Sequence, residues 1–408
     1  MHRLVQVLTA CLAATTSAAL PTTEPKIVTA AFASYLAPDN GSNSLKRGKT
    51  SSFDAYFSKQ YLLNSDVGHT IDAITSNAVL KPLVTVKAGD GQTFKKVLID
   101  TGSAIIWLGG QKAYKPGRNS HDLADFGVQY GAGGVSGRAY TDKVTIGDAT
   151  VKSQIIGASN DTSGFGLVYP IDGILGLGPS GSNAGQIFSS DESTPTFVEN
   201  LVAEGTIDKP VFGIYINGLD KATGKEVGHG EITFGGVDQS KFRGNIDWIP
   251  QLEPYNFHWE FNVTSLKFGN QVLVPDVAPA RSDTGVLPFG LPFDAFIAVM
   301  NSVPGGDVIA SGPLGGLITF PANVTQKDLP SFTMQLGKQT YSIPPAKYLI
   351  PKGAYAGLNL TVGEATYTWI TSGGRGRYAL GQKWLESVYT VYDMEKHRVG
   401  FAPVASIV

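Results

Sequence analysis

The sequence predicts an all-β, bilobal protein with a few short helices, and three observations carry that prediction. Glycine is abundant, 49 of 408 residues with 23 prolines besides, while only 16% of residues are charged, against about 25% in an average domain. Such a chain turns often and lacks the solvated faces that long helices and coiled coils require. From Leu80 onward, short segments of alternating β-branched and polar residues are broken by Gly or Pro, the period-two signature of strands. Finally, 408 residues exceed what a single hydrophobic core of about 250–300 residues supports, and an Asp-Thr-Gly tripeptide appears twice, far apart.

In chain order, residues 1–19 read as a secretory signal. Met1-His2-Arg3 is basic, Leu4 to Ala14 is mostly apolar, and Ser17-Ala18-Ala19 offers small residues for cleavage. The apolar run falls short of the ~18 residues of a membrane span, so no membrane anchor is expected. Residues 20–75 carry no regular alternation. They hold Pro21, Pro25 and the basic run Lys46-Arg47-Gly48-Lys49, which is either a processing site, cut after Arg47, or a solvated loop. Residues 76–250 and 251–408 are expected to form the two lobes. Strands are predicted at Leu83–Val86, Val97–Ile99, Val144–Ile146, Val211–Ile216 and Glu231–Phe234. One helix should open at Ser193-Thr194-Pro195, bury Phe197, Leu201 and Val202, and close at Gly205. A second should open at Pro292 and bury Phe293, Phe296, Ile297 and Met300, which follow helical spacing.

Charge and cysteine content narrow the function. The net charge is −2 without a basic stripe, so nucleic-acid and anionic-membrane partners are not expected, and a monomer is. The one cysteine, Cys11, lies inside the signal. A mature chain without it excludes disulfides, thiolate catalysis and cysteine-based zinc sites. Five sequons, at Asn40, Asn160, Asn262, Asn323 and Asn359, agree with export. None of the six histidines pairs as H-x-x-x-H, so metal catalysis has no support. Gly176-Leu177-Gly178-Pro179-Ser180-Gly181 fits a dinucleotide fingerprint in letters only, because Pro179 and the Gly/Ser/Asn run after it oppose the required helix.

The repeated tripeptide supplies the chemistry. Ile99-Asp100-Thr101-Gly102-Ser103 recurs as Ser282-Asp283-Thr284-Gly285-Val286, and an apolar pair followed by Gly comes after each copy: Ile174-Leu175-Gly176 and Ala379-Leu380-Gly381. Two carboxylates brought together at a two-fold axis cannot both ionise cheaply and share one proton. One is then a base that activates water, and the other an acid that protonates the departing group. Glycine after threonine lets the backbone approach the pair and donate N–H groups, and the threonine hydroxyls can bond across the axis. The plain alternative is a pair of surface Asx turns.

With these motifs the sequence resembles the pepsin family of aspartic endopeptidases, from about Leu80 to the C-terminus. Asp100 to Ser103 through Trp107 matches the first active-site motif, and Val128-Gln129-Tyr130-Gly131-Ala132-Gly133 resembles the flap. Ile171 to Gly178 matches the strand that follows, and Thr194 to Phe197 a helix start. Gly235 to Asp238 resembles the segment before the interlobe crossing, and Tyr378 to Gly381, Tyr389 to Asp393 and Val399 to Ala402 match the C-terminal end. The absence of mature-chain cysteines is more like secreted fungal members. The resemblance implies a pepsin-like double β-barrel with the active site between lobes. It implies Asp100 and Asp283 as catalytic residues supported by Thr101, Gly102, Ser103, Thr284 and Gly285, and substrate binding by Tyr130, Gly131, Gly133, Trp107 and Ile174. It implies a secreted zymogen with residues 20–75 as propeptide, acting at acidic pH on proteins or peptides, inhibited by pepstatin-type compounds, without metal or cofactor.

The sequence departs from the family pattern at four places. Arg281 and Ser282 stand where two apolar residues are usual before the second Asp. Val286 replaces a hydroxyl residue, and Ala132 another in the flap. Basic residues are few in the N-terminal segment. Two functions therefore stay open: a secreted aspartic endopeptidase, or a catalytically impaired relative that keeps the cleft for binding. The intact Asp pair, Tyr130 and Trp107 favour the first, and Arg281 and Val286 the second.

Overall fold

The computed structural model describes residues 26–36, 80–130, 133–162, 171–218, 230–312 and 314–405. The expected signal with Cys11, the Asn40 sequon, the Lys46-Arg47 pair, and Gly131 and Ala132 in the flap lie outside the described residues. Strands dominate what is described, with four short α-helices.

Leu80–Ala88, Gln92–Asp100, Gly173–Gly176, Ile106–Leu108, Ala149–Asp161 and Gly133–Ile146 are successive hydrogen-bonded neighbours. The last pairs back on the first, at Val86↔Ile146, and closes a six-stranded barrel. Alternation sends Val86, Phe94, Val97, Ile99, Val144, Ile146, Val151 and Ile156 into its interior, all fully buried. Each such side chain contributes about 1.5–3 kcal/mol by leaving water. The sheet continues beyond Leu80–Ala88 through Val28–Leu36, Gly230–Phe234, Val211–Tyr215, Val388–Asp393 and Arg398–Pro403 to Asp247–Pro250. Segments from both ends of the chain thus share one sheet.

The strand Val28–Leu36 lies in the segment 20–75, where no regular alternation announces it. Val28-Thr29-Ala30-Ala31 alternates only weakly. The strand is fixed by pairing on both sides, with Gly230–Phe234 and with Leu80–Ala88, and long-range pairing leaves no local mark.

The helices differ in detail from expectation. Helix α1 is Phe197–Ala203, and its N-cap is Thr196 rather than the Ser193-Thr194-Pro195 segment. The Thr196 hydroxyl accepts from the Glu199 N–H at 3.3 Å, and the Glu199 carboxylate accepts from the Thr196 N–H at 2.7 Å, a reciprocal cap that satisfies two otherwise orphan donors. Helix α2, Phe293–Asn301, follows Pro292 as expected, but it buries Ala295, Phe296, Val299 and Met300. Phe293 and Ile297 lie at the margin of that face. Helices α3 (Pro345–Tyr348) and α4 (Gln382–Leu385) are too short for periodicity to announce them.

Candidate active site

Each Asp-Thr-Gly begins where a strand ends, and equivalent strands hold each copy. Gln92–Asp100 runs parallel to Gly173–Gly176, which pairs antiparallel with Ile106–Leu108. In the second half, Ala278–Ser282 runs parallel to Tyr378–Leu380, which pairs antiparallel with Phe289–Pro292. The register matches too: Asp100 stands beside Gly176, Ser282 beside Leu380, and the Asp283 N–H donates to the Leu380 carbonyl at 3.2 Å. The apolar-apolar-Gly segments are therefore the rails along which the two loops are set.

The loops are bonded to each other through their threonines. The Thr101 N–H donates to Thr284 Oγ1 and the Thr284 N–H to Thr101 Oγ1, both at 3.0 Å. The hydroxyls in turn donate to backbone carbonyls of the opposite strand, Thr101 to Ser282 at 3.1 Å and Thr284 to Ile99 at 2.8 Å. All four bonds are buried, where an unmet polar group would cost about 1–3 kcal/mol. The glycines explain the close approach. A Cβ on Gly102 would lie 2.3 Å from Asp283 Oδ2, and one on Gly285 would lie 2.6 Å from Asp100 Oδ1, so each loop has room for the other's carboxylate only as glycine.

The two carboxyl groups are buried, 5% and 7% exposed, and close enough for the charge of Asp283 to act on Asp100. Burial, then the Asp283 charge, push the Asp100 carboxyl up to about 7, against opposing hydrogen bonds from Ser103 and Gly102. The surroundings of the pair are unequal. Asp100 accepts from the Gly102 N–H at 2.8 Å and from the Ser103 hydroxyl. Asp283 accepts from the Gly285 N–H at 2.9 Å, but the residue equivalent to Ser103 is Val286, buried and without a donor. The other departures have partners. Ser282 is fully buried and bonds the Tyr392 hydroxyl at 2.7 Å. Arg281 bonds Glu260 at 3.3 Å. Arg377 reaches the same Glu260 oxygen at 4.0 Å. Sequence reasoning missed Tyr392 and Glu260. The one signal was a polar residue at an apolar strand position, which demands a partner without naming it.

The flap hairpin pairs His121–Tyr130 with Gly133–Ile146, from Phe126↔Gly137 to Tyr130↔Gly133 at its tip. Burial, then the Asp100 charge, push the Tyr130 phenol above its ordinary value, so it stays protonated. Trp107 Nε1 donates to the Tyr130 hydroxyl at 2.9 Å. Trp107 is fully buried, and through this bond it holds the Tyr130 hydroxyl. Ile174 is 1% exposed and stands opposite Trp107, in an apolar cluster with Leu98, Phe126 and Val128 against which Tyr130 packs. Among the described residues no group of three or more His, Cys, Asp or Glu could hold a metal ion, and no helix is long and apolar enough to cross a membrane.

Comparison with known proteins agrees with this geometry. The model of the eukaryotic aspartyl protease family matches residues 83–404. Polyporopepsin from Irpex lacteus is 30% identical over 339 residues, covering 80% of this chain and 95% of the relative. Human gastricsin is 29% identical over 326 residues, covering 76% and 78%. The crystal structure of the aspartic proteinase from Irpex lacteus superposes with a TM-score of 0.68 at 26% identity, covering 82% of this chain and 96% of that one.

Proposed function

The chain belongs to the eukaryotic aspartyl protease family, an aspartic-type endopeptidase group, and from that premise we propose that it is exported and cleaves peptide bonds with water held between Asp100 and Asp283. The observation that carries the proposal is the reciprocal packing of each carboxyl against the other loop's glycine. In the singly protonated pair, the ionised carboxylate takes a proton from water as the water oxygen bonds to the scissile carbonyl carbon. The protonated partner gives its proton to the carbonyl oxygen. Collapse of the tetrahedral intermediate then breaks the C–N bond, with a proton delivered to the leaving nitrogen. Because burial and the Asp283 charge hold the Asp100 proton up to about pH 7, the proton that the reaction needs is kept well above the ordinary carboxylate range. Tyr130 closes over the peptide and excludes water.

The N-terminal segment, residues 20–75, is the propeptide in this reading, and a cut after Arg47 would release the strand Val28–Leu36 with it. The lobes are residues 76–250 and 251–408. Of the described sequons, Asn160, Asn323 and Asn359 are exposed, whereas Asn262 is half-buried in a paired strand, so the first three are the sites for glycan attachment. The binding-only alternative is favoured by Val286, which leaves Asp283 without a side-chain donor at that place.

The test is hydrolysis of an unfolded protein at acidic pH. Wild-type protein should digest it, a pepstatin-type inhibitor should stop the reaction, and Asp100→Asn or Asp283→Asn should lower the rate by at least about 10²-fold while the fold survives. Undiminished turnover by either variant would sink the proposal; inhibitor binding without hydrolysis by wild type would establish the binding-only alternative.

A further inference from the structure

We infer that Arg281 selects substrates carrying an acidic side chain beside the scissile bond, an inference that rests on the peptide-binding reading above. Successive side chains of a strand leave from opposite faces. Ser282, the last residue of the strand Ala278–Ser282, is turned inward, fully buried and bonded to Tyr392, so the half-buried Arg281 leaves from the strand's other face, two residues before Asp283. At the rise of an extended chain their Cα atoms are about 7 Å apart, which is about one substrate side chain away from the reacting carboxyl.

Arg281 does not stand there alone. Glu260 is its directly opposed neighbour on Glu260–Val263, bonded through Nη2 at 3.3 Å. Arg377 Nη1 reaches the same carboxylate oxygen at 4.0 Å. Side-chain exposures of 23% for Arg281, 27% for Glu260 and 42% for Arg377 leave the cluster partly open to solvent. Two guanidinium groups facing one carboxylate leave an excess of one positive charge. The Glu260 contact also holds the Arg281 side chain in place, so a second carboxylate would meet an ordered, planar donor set. An apolar residue at position 281 would present no charge there.

The experiment uses matched peptides that carry Glu, Gln or Lys at each position flanking the cleaved bond, at about pH 6, where a substrate glutamate is ionised. Wild-type kcat/KM should be about three- to tenfold higher for Glu than for Gln at one flanking position. The gap should close in about 1 M salt. Arg281→Gln should remove the preference and Arg281→Lys should retain part of it, with cleavage of the Gln peptide as the internal reference. The same ratio is read as binding to Asp100→Asn, which keeps the peptide whole. Binding with a Glu preference but no hydrolysis by wild type would overturn the endopeptidase reading and leave this one standing. Equal handling of Glu and Gln, a preference that survives Arg281→Gln, or no peptide binding at all would overturn the role given to Arg281.

Discussion

Ser103 and Val286 occupy equivalent places after the two Asp-Thr-Gly motifs, and the difference between them is one hydroxyl. Ser103 donates to Asp100; on the other side the backbone N–H of Gly285 donates to Asp283, and Val286 can add nothing. A hydrogen bond to a charged group contributes about 1.5–3 kcal/mol, and ~1.36 kcal/mol corresponds to one pKa unit. Threonine is nearly isosteric with valine and would donate to the ionised form of the pair, lowering its apparent acidic pKa, which belongs to both carboxyls together. Val286→Thr should therefore move the acidic limb of kcat/KM against pH downward, by up to about one unit; an unmoved limb, or one displaced upward, contradicts this account. Ser282 gives a second test. Tyr392→Phe strands a buried hydroxyl and should destabilise the fold by about 1–3 kcal/mol, whereas Ser282→Val together with Tyr392→Phe removes both partners and should restore much of that loss. Thermal midpoints of the single and double variants decide it. From sequence alone Ser282 reads as a defect, because its partner lies 110 residues away.

At the scale of elements, the hairpin that carries Tyr130 at its tip gives that side chain a fixed seat. Trp107 supplies that seat through the bond from Nε1 and through its ring in the cluster with Ile174. Trp107→Phe keeps much of the apolar ring but removes the donor, so it should lower kcat/KM about two- to tenfold, the worth of one net hydrogen bond, and the volume lost from this fully buried site should also lower the thermal midpoint. Tyr130→Ala removes the side chain proposed to close over the peptide and should cost more. If the bond acts through Tyr130, Trp107→Phe in the Tyr130→Ala background should have no further effect, and additive losses would show otherwise. Elements with strong local signals were legible: the barrel strands with β-branched alternation, the proline before α2, and the glycine-closed segments beside each Asp. Elements made by distant partners were not. Val28–Leu36 is a strand because two other strands flank it, and α1 starts where Thr196 and Glu199 cap each other rather than at the first turn residue.

For the whole molecule, the decisive feature is that the two Asp loops come from distant parts of one sequence and meet in the buried interior. The strand Val388–Asp393, near the C-terminus, pairs with Val211–Tyr215 in the sheet that also contains the first Asp strand. Folding therefore must bring two carboxyls together out of water, and the cost depends on pH. Burial and the neighbouring Asp283 raise Asp100 from its ordinary 3.8 to about 7, so between those values the folded state binds more protons than the unfolded chain. Stability then falls as pH rises across that window, since its slope with pH follows the protons bound by the unfolded state minus those bound by the folded one. Below the unfolded value both states are protonated and this penalty vanishes. Above about 7 it is fully present. Asparagine at position 100 is neutral at every pH and carries no such penalty. The thermal midpoint of wild-type protein should fall between pH 4 and pH 7, and Asp100→Asn should flatten that slope and gain on wild type toward neutrality. Parallel curves for the two proteins would mean that the pair of carboxyls does not hold its proton in the folded state, and the acid–base roles assigned to Asp100 and Asp283 would fall with it.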